Sequence, residues 1–161
     1  MKKQNGYLFL IPFSLIFSSC GSYPCSEAPG LRISPVSFTD AERDTIILRK
    51  FTRNNGFTGL IDTVIITTEN TRFNVSNDTA NIVAAAGDVF LSSKYDYEIY
   101  LPAVNKLTRI SDIIEPQLEG KNTSLFNTDK VACANTIQSY KKDGQMLAAI
   151  QFNYSFVYIK K

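Results

Sequence analysis

Short runs of β-branched and aromatic residues, separated by turn residues, most restrict the fold of this 161-residue chain. No stretch of about 12 residues repeats its apolar positions every three to four residues, as an amphipathic helix would. The runs therefore predict about seven or eight strands and an all-β antiparallel sandwich, immunoglobulin-like in the broad sense, with a small closed barrel as the alternative. Nine candidate runs show this pattern, close to that number; they span residues 31–34, 44–53, 60–68, 71–75, 79–85, 95–101, 106–113, 131–140 and 146–159.

Local patterns add detail to this prediction. Thr39-Asp40-Ala41-Glu42 fits a capping box and predicts a single helical turn. Asn54-Asn55-Gly56 lies between two β-branched runs and predicts a hairpin turn. The polar stretch 116–129 predicts a loop. The last run alternates most regularly and predicts one long closing strand, with a single face formed by Ile150, Phe152, Tyr154, Phe156 and Tyr158.

The N-terminus has the organisation of a secretory signal peptide. Lys2 and Lys3 precede an apolar stretch over residues 7–17, and two serines then precede Cys20. A membrane-spanning helix needs about 20 apolar residues, and this stretch is shorter. The sequence therefore predicts that residues 1–19 are cleaved, that the Gly-, Ser- and Pro-containing residues 20–30 form a flexible tether, and that residues 31–161 fold as one domain.

The residues around the predicted cleavage site carry a resemblance. Phe17-Ser18-Ser19-Cys20 resembles the lipobox of bacterial lipoproteins, whose cysteine becomes the acylated first residue. Together with the run from Tyr97 to Lys106, it is similar to a family of small Bacteroidota lipoproteins that has no assigned activity. The resemblance implies lipidation of Cys20 and an anchor of several acyl chains in the outer membrane of the cell envelope.

Which side of that membrane the domain occupies is suggested by the residues after Cys20. In lipoproteins of this phylum, a cluster of acidic residues after the lipidated cysteine resembles a tag for export to the cell surface. The segment Gly21-Ser22-Tyr23-Pro24 has no acidic residue. The resemblance therefore implies an anchor that faces the periplasm.

Charge and composition exclude several function classes. Without Lys2 and Lys3, the 17 basic side chains fall to 15, which equals the 15 acidic ones. A neutral chain has little attraction for phosphate backbones, so no nucleic-acid partner is predicted. The chain has no histidine, which excludes Ser-His-Asp and Cys-His catalysis. Since the residue spacings of phosphate loops and zinc sites are also missing, we expect no cofactor and no metal. For a protein of the cell envelope, the expected partner is another envelope protein or a glycan.

The chain has three cysteines. Lipidation of Cys20 would account for the odd one in an exported protein. Cys25 and Cys133 could then form a disulfide that closes a loop of about a hundred residues and stabilises the fold by about 4 to 5 kcal/mol. The sequence leaves open the alternative that both thiols are unpaired.

Asp96 and Glu98 are the best candidates for carboxylate chemistry. They lie two positions apart on one predicted strand, so their Cβ atoms would stand about 7 Å apart on one face, which is a spacing that inverting glycosidases use. Tyr95, Tyr97 and Ile99 would occupy the other face, so both acids are expected on the solvent side of an alternating strand. A non-catalytic binding or structural module is therefore the leading prediction, and a carboxylate-dependent glycoside hydrolase is the alternative.

Three short segments resemble the Asp-Thr/Ser-aliphatic acceptor for O-linked glycans on exported Bacteroidota proteins. They are Asp44-Thr45-Ile46, Asp62-Thr63-Val64 and Asp78-Thr79-Ala80. The resemblance implies modification of Thr45, Thr63 or Thr79. The same pattern is also typical of a turn that enters a strand.

Overall fold

The computed structural model describes residues 22–85, 89–121, 133–149 and 155–161, and only the backbone of residues 83–85 and 121. This part contains one short helix, α1 (Asp40–Arg43), and a 3-10 turn at Pro102–Val104. Its strands are β1 (Ser22–Pro24), β2 (Arg32–Val36), β3 (Thr45–Thr52), β4 (Leu60–Thr67), β5 (Thr71–Ser76), β6 (Thr79–Ala85), β7 (Tyr95–Leu101), β8 (Lys106–Ile114), β9 (Glu119–Lys121), β10 (Ser139–Lys142), β11 (Gln145–Ala148) and β12 (Phe156–Lys160).

Two sheets form the fold. The larger has the strand order β11-β10-β8-β7-β3-β4, the smaller has the order β12-β2-β6-β5, and β1 pairs with β9 as a separate ribbon. The sheets are not closed into a barrel, so the predicted β-sandwich is confirmed. Strand pairing is antiparallel apart from β12, which runs parallel to β2. The described part contains more strands than the predicted seven or eight because several of them have only three to five residues.

The core lies between the two sheets. Since successive side chains of a strand point to opposite faces, each central strand contributes its alternate residues to this space. Tyr97, Ile99 and Leu101 of β7 are fully buried there. The neighbouring strands and the smaller sheet contribute a further set of buried aliphatic side chains, which includes Ile33, Ile46, Leu48, Ile66, Ile82, Ile110, Val157 and Ile159.

Two predicted local elements are confirmed. In the capping box, the Thr39 hydroxyl accepts a hydrogen bond from the Glu42 amide at 3.3 Å, and the Glu42 carboxylate accepts one from the Thr39 amide at 3.0 Å. The β3 and β4 strands form the predicted hairpin. Its turn contains Asn54 and Gly56, both with φ of 57°, which is the left-handed region that asparagine and glycine tolerate best.

The prediction of one closing strand over residues 146–159 is wrong. β11 belongs to the six-stranded sheet and β12 to the four-stranded sheet, so the chain changes sheets between them. A single alternating face cannot continue across that change. In β12 it is Val157 and Ile159 that enter the core, whereas Tyr158 is exposed. Ile150, Phe152 and Tyr154 lie outside the described residues, and Phe156 is partly buried.

The strand predicted over residues 131–140 is also wrong for residues 133–138, because β10 begins only at Ser139. The backbone of this segment is bonded to the N-terminal segment instead. Ser26 donates its amide to the Cys133 carbonyl at 3.1 Å, and the Asn135 amide donates to the Ser26 carbonyl at 2.7 Å. The loop predicted over residues 116–129 contains β9, and residues 122–132 lie outside the described part.

Residues 22–30 are bonded to the body of the domain, which departs from the flexible tether predicted for residues 20–30. β1 pairs with β9. Cys25 and Cys133 form a disulfide, with their Cα atoms 5.0 Å apart. The Ala28 amide donates to a Glu115 carboxylate oxygen at 2.7 Å. A composition rich in Gly, Ser and Pro did not reveal these contacts, because every partner is distant in sequence. Residues 20 and 21 lie outside the described part.

Candidate binding face on the six-stranded sheet

Three charged residues form a row on the outer face of the six-stranded sheet. Arg49 of β3 lies opposite Glu98 of β7, and Glu98 lies opposite Arg109 of β8. All three point away from the core because their chain neighbours, such as Leu48 and Ile99, point into it. We call Arg49, Glu98 and Arg109 the outer row.

The Glu98 carboxylate is held by both arginines. One oxygen accepts a hydrogen bond from Nε of Arg109 at 3.0 Å, and Nη2 of the same arginine lies 3.0 Å from that oxygen as an ion pair. The other oxygen lies 3.4 Å from Nη1 of Arg49. Only 9% of the Glu98 side chain is exposed, against 38% and 53% of the two arginines. The Glu98 carboxylate is therefore buried, and each of its oxygens contacts an arginine, whereas the two arginines remain accessible to solvent.

The β3–β4 loop, residues 53–59, covers part of this face. Phe57 has a φ of 61° and packs edge-on against Phe51, with ring centroids 5.7 Å apart. The guanidinium carbon of Arg109 lies 5.1 Å from the centroid of the Phe57 ring, within cation–π range. The Arg53 guanidinium donates to the Ile113 carbonyl at 3.4 Å. These contacts hold the loop against the sheet.

Asp96 lies beneath the same loop and is 2% exposed. One of its oxygens accepts the Asn54 amide at 2.8 Å, and the other has no hydrogen-bond partner among the described residues. Burial raises the pKa of Asp96, and the nearby Asp112 charge adds to this. The backbone amides of Asn54 and Asp112 and the Arg53 charge oppose the shift but do not cancel it. Asp96 therefore holds its proton more strongly than an ordinary aspartate.

The prediction that Asp96 and Glu98 are exposed to solvent on the outer side of β7 is wrong. Both point away from the core, as the alternation indicates, but both are buried. The cover comes from the β3–β4 loop and from arginines on the two neighbouring strands, which the sequence of β7 does not reveal. Arg49 and Arg109 were missed as site residues. Their only sequence signal is that each stands among apolar residues of a predicted strand.

An open groove of about 480 Å³ lies beside the outer row and the loop. The turn between β10 and β11 forms one wall, since Asp143 accepts the Arg109 amide at 2.7 Å through its carboxylate. The groove offers an aromatic ring, a guanidinium, a hydroxyl and a carboxylate, which together can stack on an apolar ring face and bond hydroxyl groups. Its lining residues are Phe57, Leu107, Arg109, Ser111, Asp143 and Gly144.

The remaining predicted site residues lie apart from this groove. Thr63 is exposed on β4, opposite Arg49 in the sheet register. Thr45 and Thr79 are partly exposed first residues of β3 and β6. Cys20 lies outside the described residues. A second open groove of about 480 Å³ lies near α1 and the β5–β6 turn and includes Phe38, Asp40, Arg43 and Asp78 in its lining.

Fold and site together define an all-β sandwich domain with a charged row on the outer face of one sheet, in which the central glutamate is covered and the two arginines are accessible. No family model, curated protein or solved structure matches the chain. In the part of the chain that the structure describes, no helix is long and apolar enough to cross a bilayer. Nor do those residues bring three or more His, Cys, Asp or Glu side chains together as metal ligands.

Proposed function

We propose that the protein is an envelope lipoprotein, anchored to the outer membrane through acyl chains on Cys20, whose sandwich is a non-catalytic binding or structural module. One observation carries the proposal: Cys25 and Cys133 are joined. Disulfides persist mainly in oxidising compartments, so this bond supports export. It also leaves Cys20 as the remaining cysteine of the chain, at the position that a lipobox would acylate.

The test of the anchor is metabolic labelling with a fatty-acid analogue in the native cells. We expect label on the wild type and none on Cys20→Ala. The matched control is the double variant Cys25→Ala with Cys133→Ala, which should keep its label because neither cysteine carries lipid. An unlabelled wild type, or a labelled Cys20→Ala variant, contradicts the anchor.

The proposed position faces the periplasm. Protease added to intact cells should leave the protein uncut, and protease added after the outer membrane is permeabilised should degrade it. Cleavage in intact cells would place the domain on the outside instead. A periplasmic protein and a surface protein of the same cells serve as the two reference points.

The state of the two acids supports a module without catalysis. Both oxygens of Glu98 are engaged by arginines, and Asp96 is covered by the β3–β4 loop. The accessible groups are those of the groove beside the outer row, which fit the hydroxyl groups and ring faces of a glycan or the polar surface of an envelope protein. We expect a library of soluble glycans to give binding without turnover. Ser111→Ala should weaken that binding, whereas Ser76→Ala on β5 should not.

A carboxylate-dependent glycoside hydrolase is the second candidate, and one observation favours it. Burial raises the pKa of Asp96, which is the property that a general acid needs. In this mechanism Asp96 or Glu98 would protonate the leaving group and the other would activate water. The β3–β4 loop would have to open first. Turnover of any glycan that is lost in Asp96→Asn and in Glu98→Gln would favour the hydrolase over the binding module.

Modification of the three Asp-Thr segments belongs to the same proposal. Thr63 is the best candidate because it is exposed on β4, whereas Thr45 and Thr79 are only partly so. Intact mass of the native protein should exceed the mass of the chain plus lipid, and Thr63→Ala should reduce the excess. A mass that fits chain and lipid alone contradicts the modification.

A further inference from the structure

The N-terminal segment and β9 form one fixed end of the domain. In the ribbon, Tyr23 lies opposite Gly120, and a Cβ atom at Gly120 would come within 2.4 Å of the Tyr23 ring. Only glycine fits beneath that ring. The Cys25 amide donates to the Leu118 carbonyl at 3.0 Å, so the pairing continues past β1. We call residues 22–25 together with residues 117–121 the ribbon end.

The segment after the ribbon end is equally bound. Glu115 accepts the Ala28 amide at 2.7 Å, the Ser93 hydroxyl at 2.6 Å and the Asn135 side-chain amide at 3.2 Å. Burial acts to raise the pKa of Glu115, but these three hydrogen bonds together lower it. Leu31 is then fully buried in the core. The chain from Ser22 onward therefore has no free length to serve as a tether.

Chain geometry then limits the distance between a lipid and the domain. Two residues of extended chain span about 7 Å, so the Cα atom of Cys20 lies within about 7 Å of that of Ser22. A free tether over residues 20–30 would instead reach about 35 Å. Resting on the acylation of Cys20 proposed above, we propose that the ribbon end lies directly on the surface of a phospholipid bilayer.

The exposed side chains of the ribbon end suit a bilayer surface. Leu118 is 41% exposed, and it offers an aliphatic side chain to the boundary between headgroups and acyl chains. Pro24 and Glu119 are exposed beside it. The ribbon end has one acidic and one basic residue, Glu119 and Lys121, so its formal net charge is zero. The surface that fits is therefore a zwitterionic phospholipid, and attachment depends on the acyl chains.

This placement also orients the rest of the domain. β8 runs from Lys106, next to the 3-10 turn, to Ile114, next to the ribbon end. Its nine residues span about 27 Å. The 3-10 turn is therefore the end away from the membrane. The β3–β4 loop lies towards the membrane, since Arg53 bonds the Ile113 carbonyl, and the outer row faces sideways.

The chain has no tryptophan, so one introduced tryptophan is a single reporter. Leu118→Trp and the matched control Ala103→Trp, on the 3-10 turn, each substitute an exposed side chain and keep the backbone bonds. Each full-length lipidated protein is reconstituted into phosphatidylcholine vesicles with brominated acyl chains, which quench tryptophan at short range. We expect quenching of Leu118→Trp to exceed that of Ala103→Trp several-fold.

A third protein separates the fixed end from the lipid itself. Inserting a flexible Gly-Ser segment between Gly21 and Ser22 in the Leu118→Trp protein should lower the quenching towards that of Ala103→Trp. Equal quenching of the two single variants, with acylation verified by intact mass, overturns the inference and leaves the proposed anchor standing. A mass without acyl chains overturns both.

Discussion

The two faces of β7 are both buried, but by different means. On the inner face, Ile99 is covered by the apolar side chains of both sheets. On the outer face, Glu98 is 7% exposed and is bonded by two arginines, and Asp96 is bonded by the β3–β4 loop. Alternation along a strand therefore predicts which way a side chain points. It does not predict whether the outward side chain meets solvent.

The energetics of the two faces differ accordingly. Burial of apolar surface stabilises the folded state by about 25 cal/mol per Å². This contribution does not depend on a partner group in a particular geometry. A covered ion pair roughly balances its desolvation cost against its attraction, yet removing one partner leaves a charge without compensation. We infer that the inner face supplies stability, whereas the outer row mainly fixes where the β3–β4 loop lies.

The largest effect should come from the inner face. Ile99→Ala removes a fully buried side chain and leaves a cavity between the sheets, so it should lower the free energy of unfolding by about 2 to 5 kcal/mol. Urea unfolding followed by circular dichroism, with the disulfide intact, measures this. The matched control is Ile61→Ala, whose side chain is 52% exposed and whose loss should cost less than about 0.5 kcal/mol. Equal losses at both positions would remove the distinction.

The next effect should come from the outer row. Glu98→Gln keeps the shape of the side chain but removes the charge that pairs both arginines, and it should cost about 1.5 to 3 kcal/mol. The value should lie at the lower end because the arginines can be solvated. Glu69→Gln, in the exposed turn after β4, is the control and should be neutral. A neutral Glu98→Gln would mean that the ion pairs contribute nothing to stability.

Much of the fold could be predicted because its signals are local. The inward residues of β7 follow from alternation, and the capping box at Thr39 follows from four consecutive residues. The closing strand could not be predicted in the same way. Residues 150–156 alternate apolar and polar side chains within the predicted strand over 146–159, yet the chain changes sheets between β11 and β12. That change depends on which existing edges accept β11 and β12, and no local pattern records it.

Less of the candidate site could be predicted. The spacing of Asp96 and Glu98 placed both acids correctly on one face of β7. Their cover could not be anticipated, because Phe57 folds back through a positive φ and Arg109 reaches across from the neighbouring strand. The contacts of residues 22–30 were missed for a similar reason. Contacts between different strands and loops depend on the assembled sheets.

A smaller effect should follow from the loop. Phe57→Ala removes the edge-on contact with Phe51 and the cation–π contact with Arg109, and it should cost about 0.5 to 1.5 kcal/mol. The loop should also open more often, so the Asn54 amide, which bonds Asp96, should exchange with deuterium faster than in the wild type. Phe57→Leu should keep part of the protection. Unchanged exchange in Phe57→Ala would show that other contacts hold the loop.

The smallest change should come from Asp96→Asn, and its sign depends on pH. Because burial raises the pKa of Asp96 above the ordinary value of 3.8, the folded protein retains this proton after the unfolded chain has lost it. The contribution of Asp96 to the stability of the wild type should be fully present below the unfolded pKa and should be lost as pH rises through the folded pKa.

The asparagine side chain of the Asp96→Asn variant cannot ionise but still accepts the Asn54 amide. The variant should therefore gain stability relative to the wild type as pH rises above the ordinary pKa of 3.8, measured by urea unfolding. Asp78→Asn, at an exposed turn, should show no such gain. A gain that decreases with rising pH would mean that the outer face holds Asp96 ionised, and that its burial is compensated by charge as it is for Glu98.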